Sequence, residues 1–192
     1  QINKIDVWSD TDYAGCRETR KSTSGGLIMM GKHIIRSWSS TQRVIALSSG
    51  EAEYYGLVRG GAEGLGTKNI LGDLGIPIKI KILEDSTAAK GIADRTGLGK
   101  VRHIEVNQLW IQEKVKSEEI ELSKIDGSIN IADALTKHVA SDNLNNHIRW
   151  TNCEIGKGRH KEMPEMAVLD QHESKIDIDD LDDDENDLGE ID

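Results

Sequence analysis

Four acids stand in four separate contexts: Asp10 in VWSDTDYAG, Glu51 in ALSSGEAEYYG, Asp85 in KILEDSTAA and Asp133 in INIADALTKH. Successive members are 41, 34 and 48 positions apart, so only a fold that gathers distant elements could join them. Carboxylates held together repel one another, and the commonest reason for keeping such a cluster is a divalent cation. Oxygen donors suit a hard ion such as Mg2+, and two such ions about 4 Å apart can activate a water, stabilise a leaving oxygen and neutralise a phosphate. The chain has no HExxH, no GxxxxGK[ST] and no Cys/His ligand set, which removes the common zinc and nucleotide-hydrolase readings. An acid at a helix start or strand end is more often a cap or a solvated group, so position alone leaves these four open.

The elements that would carry them are legible in outline. Lys4 to Ser9 alternates apolar and polar and ends at Asp10, a strand; Thr11 to Ser24 is a polar loop with bases at Arg17, Arg20 and Lys21. Gly26 to Met30 is a buried strand, and Gly31-Lys32 makes a tight connection into a strand over His33 to Ser39. Thr41 to Leu47 reads as a third or broken strand. Ser48 or Ser49 can cap a helix that opens with Glu51 and Glu53 and runs to Leu74. Gly56, Gly60, Gly61, Gly64 and Gly66 weaken that helix by roughly 1 kcal/mol each, so it must depend on packing against a sheet. Ile78 to Leu83 is a strand ending at Asp85, Ser86 caps a short helix, Ile104 to Val115 has helical periodicity, and Ile120 to Ile125 is a last strand. Asn130 to His138 is a helix carrying Asp133, and the pattern decays after Ser141.

Charge divides the chain. Residues 162–192 hold 14 acids against one base, whereas the rest carries 23 Lys and Arg against 20 Asp and Glu. The formal net charge of −10 therefore describes the C-terminal segment and misleads about the body. A mean hydropathy of −0.50 is low for a compact domain and fits a disordered acidic tail there, which solubilises the protein or competes for a basic surface. The expected organisation is a domain over 1–140, a linker or partly ordered extension over 141–161 with a short basic patch at Lys157 to Lys161, and the tail. Cys16 and Cys153 lie in unrelated contexts, which fits a reducing compartment. No apolar run approaches 18 residues, which argues against a membrane role. A start at Gln1, with a strand following almost at once, suggests a piece of a longer polypeptide.

The series SDTDYAG, TRKSTSGG, SWSSTQRVIALSSGEAEYYG, EDSTAA, VRHIEV and NIADALTKH, in this order over roughly residues 5–140, resembles the ribonuclease H domain of copia-type (Ty1/copia) retrotransposon Pol polyproteins. The resemblance implies an α/β ribonuclease H-like fold, a five-stranded mixed sheet with three strands antiparallel, flanked by helices. It implies an endonuclease that hydrolyses the RNA strand of RNA–DNA hybrids by a two-metal mechanism and leaves a 3′-hydroxyl. Two Mg2+ ions, with Mn2+ as a substitute, would be held by Asp10, Glu51, Asp85 and Asp133. Asp10 would bridge both ions, Glu51 and Asp85 would serve the leaving-group side, and Asp133 the ion beside the attacking water. Asp12, Glu53 and Glu84 are read as solvated or structural, because adjacent positions on a strand or helix turn elsewhere. His103, in VRHIEV, falls on a family position and is read as structural or substrate-side.

Substrate contacts are expected from Arg17, Arg20, Lys21 and Arg43 to phosphates, and from Ser48 and Ser49 to the RNA minor groove. A body of only about +3 implies weak unaided affinity, so the expected partners are the hybrid and an upstream reverse transcriptase domain of the same polyprotein, in a cytoplasmic retroelement particle or the nucleus. The alternative is a degenerate domain kept as a spacer or nucleic-acid tether, for which the glycine-rich helix speaks. An integrase or transposase core would need three acids, and the fourth, in NIADALTK, speaks against it.

Overall fold

The computed structural model describes residues 3–99 and 103–156. The basic patch and the acidic tail expected over 157–192 lie outside them. Strand β1 (Lys4–Asp12) pairs antiparallel with β2 (Thr23–Met30), which turns at Gly31, φ 63°, into antiparallel β3 (His33–Thr41). On its other side β1 pairs parallel with β4 (Lys79–Glu84), and β4 pairs parallel with β5 (Ile120–Lys124). The order β3-β2-β1-β4-β5 is the five-stranded mixed sheet of the ribonuclease H-like fold. It places β1 at the centre, with the ends of β1 and β4 side by side.

Alternation on the strands sends side chains to two layers. Ile5 and Val7 of β1, Ile28 of β2, and Ile80 and Ile82 of β4 pack under α1 (Ser49–Asp73), with Tyr54, Leu57 and Val58. Each such aliphatic side chain contributes about 1.5–3 kcal/mol on burial. The same layer includes α2 (Thr87–Ala93), capped by Ser86, and α3 (Trp110–Lys116). Trp8, Leu27 and Met29 face the opposite layer, where the 3₁₀ segment Ile131–Leu135 covers them. A further helix, α4 (Ser141–Trp150), follows, and the compact unit runs Gln1–Ile155.

Gly56, Gly60, Gly61 and Gly64 of α1 are packing contacts, whereas Gly66 has open space beside it. A Cβ on Gly56 would lie 2.4 Å from Thr11 Oγ1 and one on Gly61 2.6 Å from Ile111 Cδ1, while Gly60 and Gly64 face Val7. The helix thus lies close against β1, and it runs unbroken for 25 residues despite its composition. Elsewhere the chain departs from expectation. Of the strand expected over Thr41 to Leu47, only Thr41 is extended, as the end of β3: Gln42 turns inward, donating to Ser24 Oγ and the Ala52 carbonyl, and Val44, Ile45 and Leu47 are left exposed. In place of the helix expected over 130–138 stands the 3₁₀ segment, capped by Asn130, whose side-chain amide donates to the Ser9 carbonyl. No described helix is long and apolar enough to cross a membrane.

Candidate metal centre

Asp10 lies two residues from the end of β1, opposite Gly25 of β2, and is 1% exposed. Gly25 makes room: a Cβ there would meet Thr136 Cγ2 at 2.6 Å and Leu135 Cβ at 2.9 Å. The 130–137 segment therefore settles directly over the strand. Buried Asn130 fixes it there, its amide donating to the Ser9 carbonyl at 2.9 Å. Thr136 Oγ1 donates to Asp10 Oδ2, and Asp133 comes alongside. Asp85, just past β4, completes the set: one carboxylate oxygen each from Asp10, Asp85 and Asp133 all lie within 4.8 Å of one another.

The α1 glutamate that reaches this cluster is Glu53, whereas the expected Glu51 lies outside it. One oxygen each from Glu53, Glu84 and Asp85 also lie within 4.8 Å of one another, so Asp85 links the two groups. Two positions along a helix is a turn of about 200°, so Glu51 and Glu53 face opposite ways. Glu51 is 3% exposed and fully committed elsewhere. Its Oε2 accepts from the Leu47 N–H at 2.9 Å and lies 2.6 Å from His103 Nε2, and its Oε1 accepts from Tyr55 Oη at 2.9 Å. Glu53 and Glu84, expected to be solvated or structural, are not solvated: Glu84 is fully buried, and Glu53 is partly buried with its Oε2 enclosed. The sequence did hold a signal for the helix phase. Gly56, Gly60 and Gly64 mark the face against the sheet, and Glu53 shares that face, whereas Glu51 shares its face with Tyr55 and Arg59.

Electrostatics separate the two glutamates as well. Burial, then the charges of Asp10 and Asp85, pushes Glu53 up to about 9. Burial pushes Glu84 well above the carboxylate range, with Glu53 adding to it. Asp10 is raised by burial and by Asp133, against the pull of Thr136 and Lys137. Burial raises Glu51 too, but His103, the Leu47 N–H and Tyr55 outweigh it and hold it below its ordinary value. Glu53 Oε2 and Glu84 Oε2 are buried without a protein hydrogen-bond partner. An all-oxygen donor set with an orphaned buried carboxylate oxygen fits a hard divalent cation, which would stabilise the ionised forms that burial disfavours.

The expected substrate residues lie in two stretches, the loop after β1 and the segment from Arg43 to Ser49. Arg17, Arg20 and Lys21 occupy the loop leaving β1, with Arg20 at φ 57°. Ser48 is the cap of α1, its Oγ accepting from the Glu51 N–H, and Ser49 is the exposed first residue of the helix. Arg43 lines a cleft of about 670 Å3 on the Glu51 side of α1, with Gln42, Tyr55, Arg59 and Asn107. Two neighbours of the centre carried no expectation at all: Thr136, already described, and Lys137, whose ammonium lies 3.1 Å from Asp133 Oδ1.

No family model matches the chain. It is 34% identical over 134 residues to the retrovirus-related Pol polyprotein from transposon TNT 1-94 of Nicotiana tabacum, a match covering 69% of this chain and 10% of that one. It is 28% identical over 137 residues to the corresponding polyprotein from transposon RE1 of Arabidopsis thaliana, covering 69% of this chain and 9% of that one. The chain thus spans about a tenth of the length of these relatives. Among solved structures, LC11-RNase H1 in complex with an RNA/DNA hybrid is 19% identical with a TM-score of 0.48, over 69% of this chain and 94% of that one.

Proposed function

Since the chain belongs with the Pol polyproteins of copia-type retrotransposons, in their ribonuclease H-like part, we propose that it is a metal-dependent ribonuclease H cutting the RNA strand of RNA–DNA hybrids during reverse transcription. The observation that carries this reading is the convergence of Asp10, Glu53, Asp85 and Asp133 from three separate elements and one loop onto a single oxygen-lined site. Residues so far apart in sequence gain nothing structural from mutual repulsion.

Asp10, Glu53, Asp85 and Asp133 would hold two Mg2+ ions, with Asp10 the most deeply buried and Asp85 common to both groups of oxygens. Ions bound there supply an activated water and neutralise the negative charge of the transition state. In the reaction water oxygen bonds to phosphorus, the bond from phosphorus to the 3′-oxygen breaks, and a 3′-hydroxyl and a 5′-phosphate result. The protein's part is to fix the carboxylate oxygens before substrate arrives, through Thr136 on Asp10 and Asn130 beneath Asp133. Arg17, Arg20, Lys21, Arg43, Ser48 and Ser49 are the proposed phosphate and sugar contacts. An upstream reverse transcriptase domain in the same polyprotein would present the hybrid, within the cytoplasmic particle. The glycine-rich helix, which favoured a degenerate spacer, is a packed element and no longer favours it.

Cleavage of a labelled RNA–DNA hybrid in Mg2+, with and without chelator and beside Asp85→Asn, tests the proposal. Loss of cleavage in both the chelated and the substituted sample is expected. Cleavage unaffected by Asp85→Asn would overturn the site. A folded protein that cuts in neither Mg2+ nor Mn2+ would restore the spacer reading.

A further inference from the structure

Among the described residues, Lys137 is the one whose side-chain cation lies within 4 Å of a carboxylate of the centre. Its Nζ sits 3.1 Å from Asp133 Oδ1 and 3.6 Å from Asp10 Oδ1. Its backbone is pinned: the Lys137 N–H donates to the Asp133 carbonyl at 3.0 Å, and the preceding Thr136 is bonded to Asp10. Its side chain is not pinned, being 43% exposed on a stem of four methylenes. The arrangement is thus a single positive charge on a flexible arm, rooted in the wall of the centre and reaching two of its three aspartates.

We propose that Lys137 is the built-in counter-ion of this centre, balancing Asp10 and Asp133 in the ion-free protein and exchanging places with the divalent cation. The inference rests on the metal-centre reading above. An ammonium 3.1 Å and 3.6 Å from these carboxylate oxygens and a dication held by the same two carboxylates would repel each other at close range. A dication interacts twice as strongly with those oxygens, so it displaces the ammonium, which has solvent to swing into. The tethered lysine therefore acts as an intramolecular competitor. It lowers the affinity of the centre for divalent ions, and it keeps the carboxylates from driving themselves apart before an ion arrives.

Calorimetric titration of the full chain with Mn2+ alone, at fixed pH and ionic strength, tests this. Asp10→Asn serves as the reference for ions taken up by the acidic C-terminal segment. Lys137→Gln is expected to bind Mn2+ about fivefold more tightly than wild type, the upper end for removal of a half-exposed ion pair. Lys137→Arg, which keeps the charge, is expected to bind no more tightly than wild type. In chelator Lys137→Gln should melt below wild type, and the gap should close at saturating Mn2+. Equal or weaker binding by Lys137→Gln, or a melting gap that survives saturation, overturns the counter-ion role alone. A wild type that takes up no more Mn2+ than Asp10→Asn overturns the metal centre itself, and the counter-ion with it.

Discussion

Glu51 and Glu53 sit on one turn of α1, both shielded from water, and end in opposite electrostatic states. Around Glu51 stand a backbone N–H, a tyrosine hydroxyl and a histidine, and its carboxylate is held ionised. Around Glu53 stand Asp10, Asp85 and Glu84, and its carboxyl is pushed to about 9. Burial acts on both in the same direction, so partners decide the outcome. A buried carboxylate whose every oxygen is satisfied joins segments of chain: here the loop before α1, the helix itself and the His103 loop. A buried carboxylate surrounded by others is incomplete, and its environment calls for an external cation.

The largest expected effect follows from exchanging each acid for its amide. Glu53→Gln should lower hybrid cleavage by at least about a hundredfold, because a carboxylate oxygen is lost from the centre. Glu51→Gln should instead leave Mn2+ affinity near wild type and cost about 1–3 kcal/mol of stability by denaturant titration, since its amide cannot accept from all three partners. If Glu51→Gln abolished ion binding while Glu53→Gln did not, the comparison would be inverted.

A smaller effect lies in pH. With Glu53 at about 9 in the folded, ion-free protein against an ordinary 4.5, the folded state keeps a proton that the unfolded chain releases. Its contribution is fully present below about 4.5 and is lost as pH climbs through about 9, so stability falls with rising pH in that window. In chelator the melting temperature should drop steadily between pH 6 and 8.5, by about 2–4 °C for each kcal/mol lost. Glu53→Gln should flatten the slope, with Glu84, raised in the same direction, keeping part of it. Saturating Mn2+ should remove the dependence that Glu53 causes, because ion binding requires the ionised form.

The smallest effect probes the face that aims Glu53. Gly56→Ala would drive a methyl to within 2.4 Å of Thr11 Oγ1 and should destabilise by about 1–3 kcal/mol. Gly66→Ala, with nothing within 4 Å of the added carbon, should stabilise by up to about 1 kcal/mol. Equal effects at the two positions, measured by thermal unfolding, would deny that the stripe is a contact surface.

Much of this was legible in the residues. Alternation placed the strands, Ser48 and Ser86 capped where their hydroxyls predicted, and three of the four acids fell at strand ends or in a short turn that the sheet brings together. Glu51 and Glu53 both suit the first turn of a helix, so which of them faces the aspartates was not legible there; only the glycines, taken at first as a weakness, carry the phase. Thr41 to Leu47 misled because its apolar residues suggest burial, while the inward-turned Gln42 ends β3 and leaves Val44, Ile45 and Leu47 in solvent. α4 was missed because Ser141 to Trp150 is mostly polar, with Leu144, Ile148 and Trp150 its large apolar residues. Thr136 and Lys137 could not be foreseen: their partner, Asp10, is more than 120 residues away.

That separation has a kinetic consequence. The Asn130–Ser9 bond closes a span of 121 residues and the Thr136–Asp10 bond one of 126, nearly the whole compact unit. Contacts this remote in sequence form late, after the loops between them have closed. A chain still being synthesised, with β1 to β4 already paired, would hold Asp10, Glu53 and Asp85 but lack the wall that bears Asp133 and Lys137. The centre is thus completed only by a final docking step, and a stop before residue 130 leaves it without Asp133, Thr136 and Lys137, however well the sheet has folded.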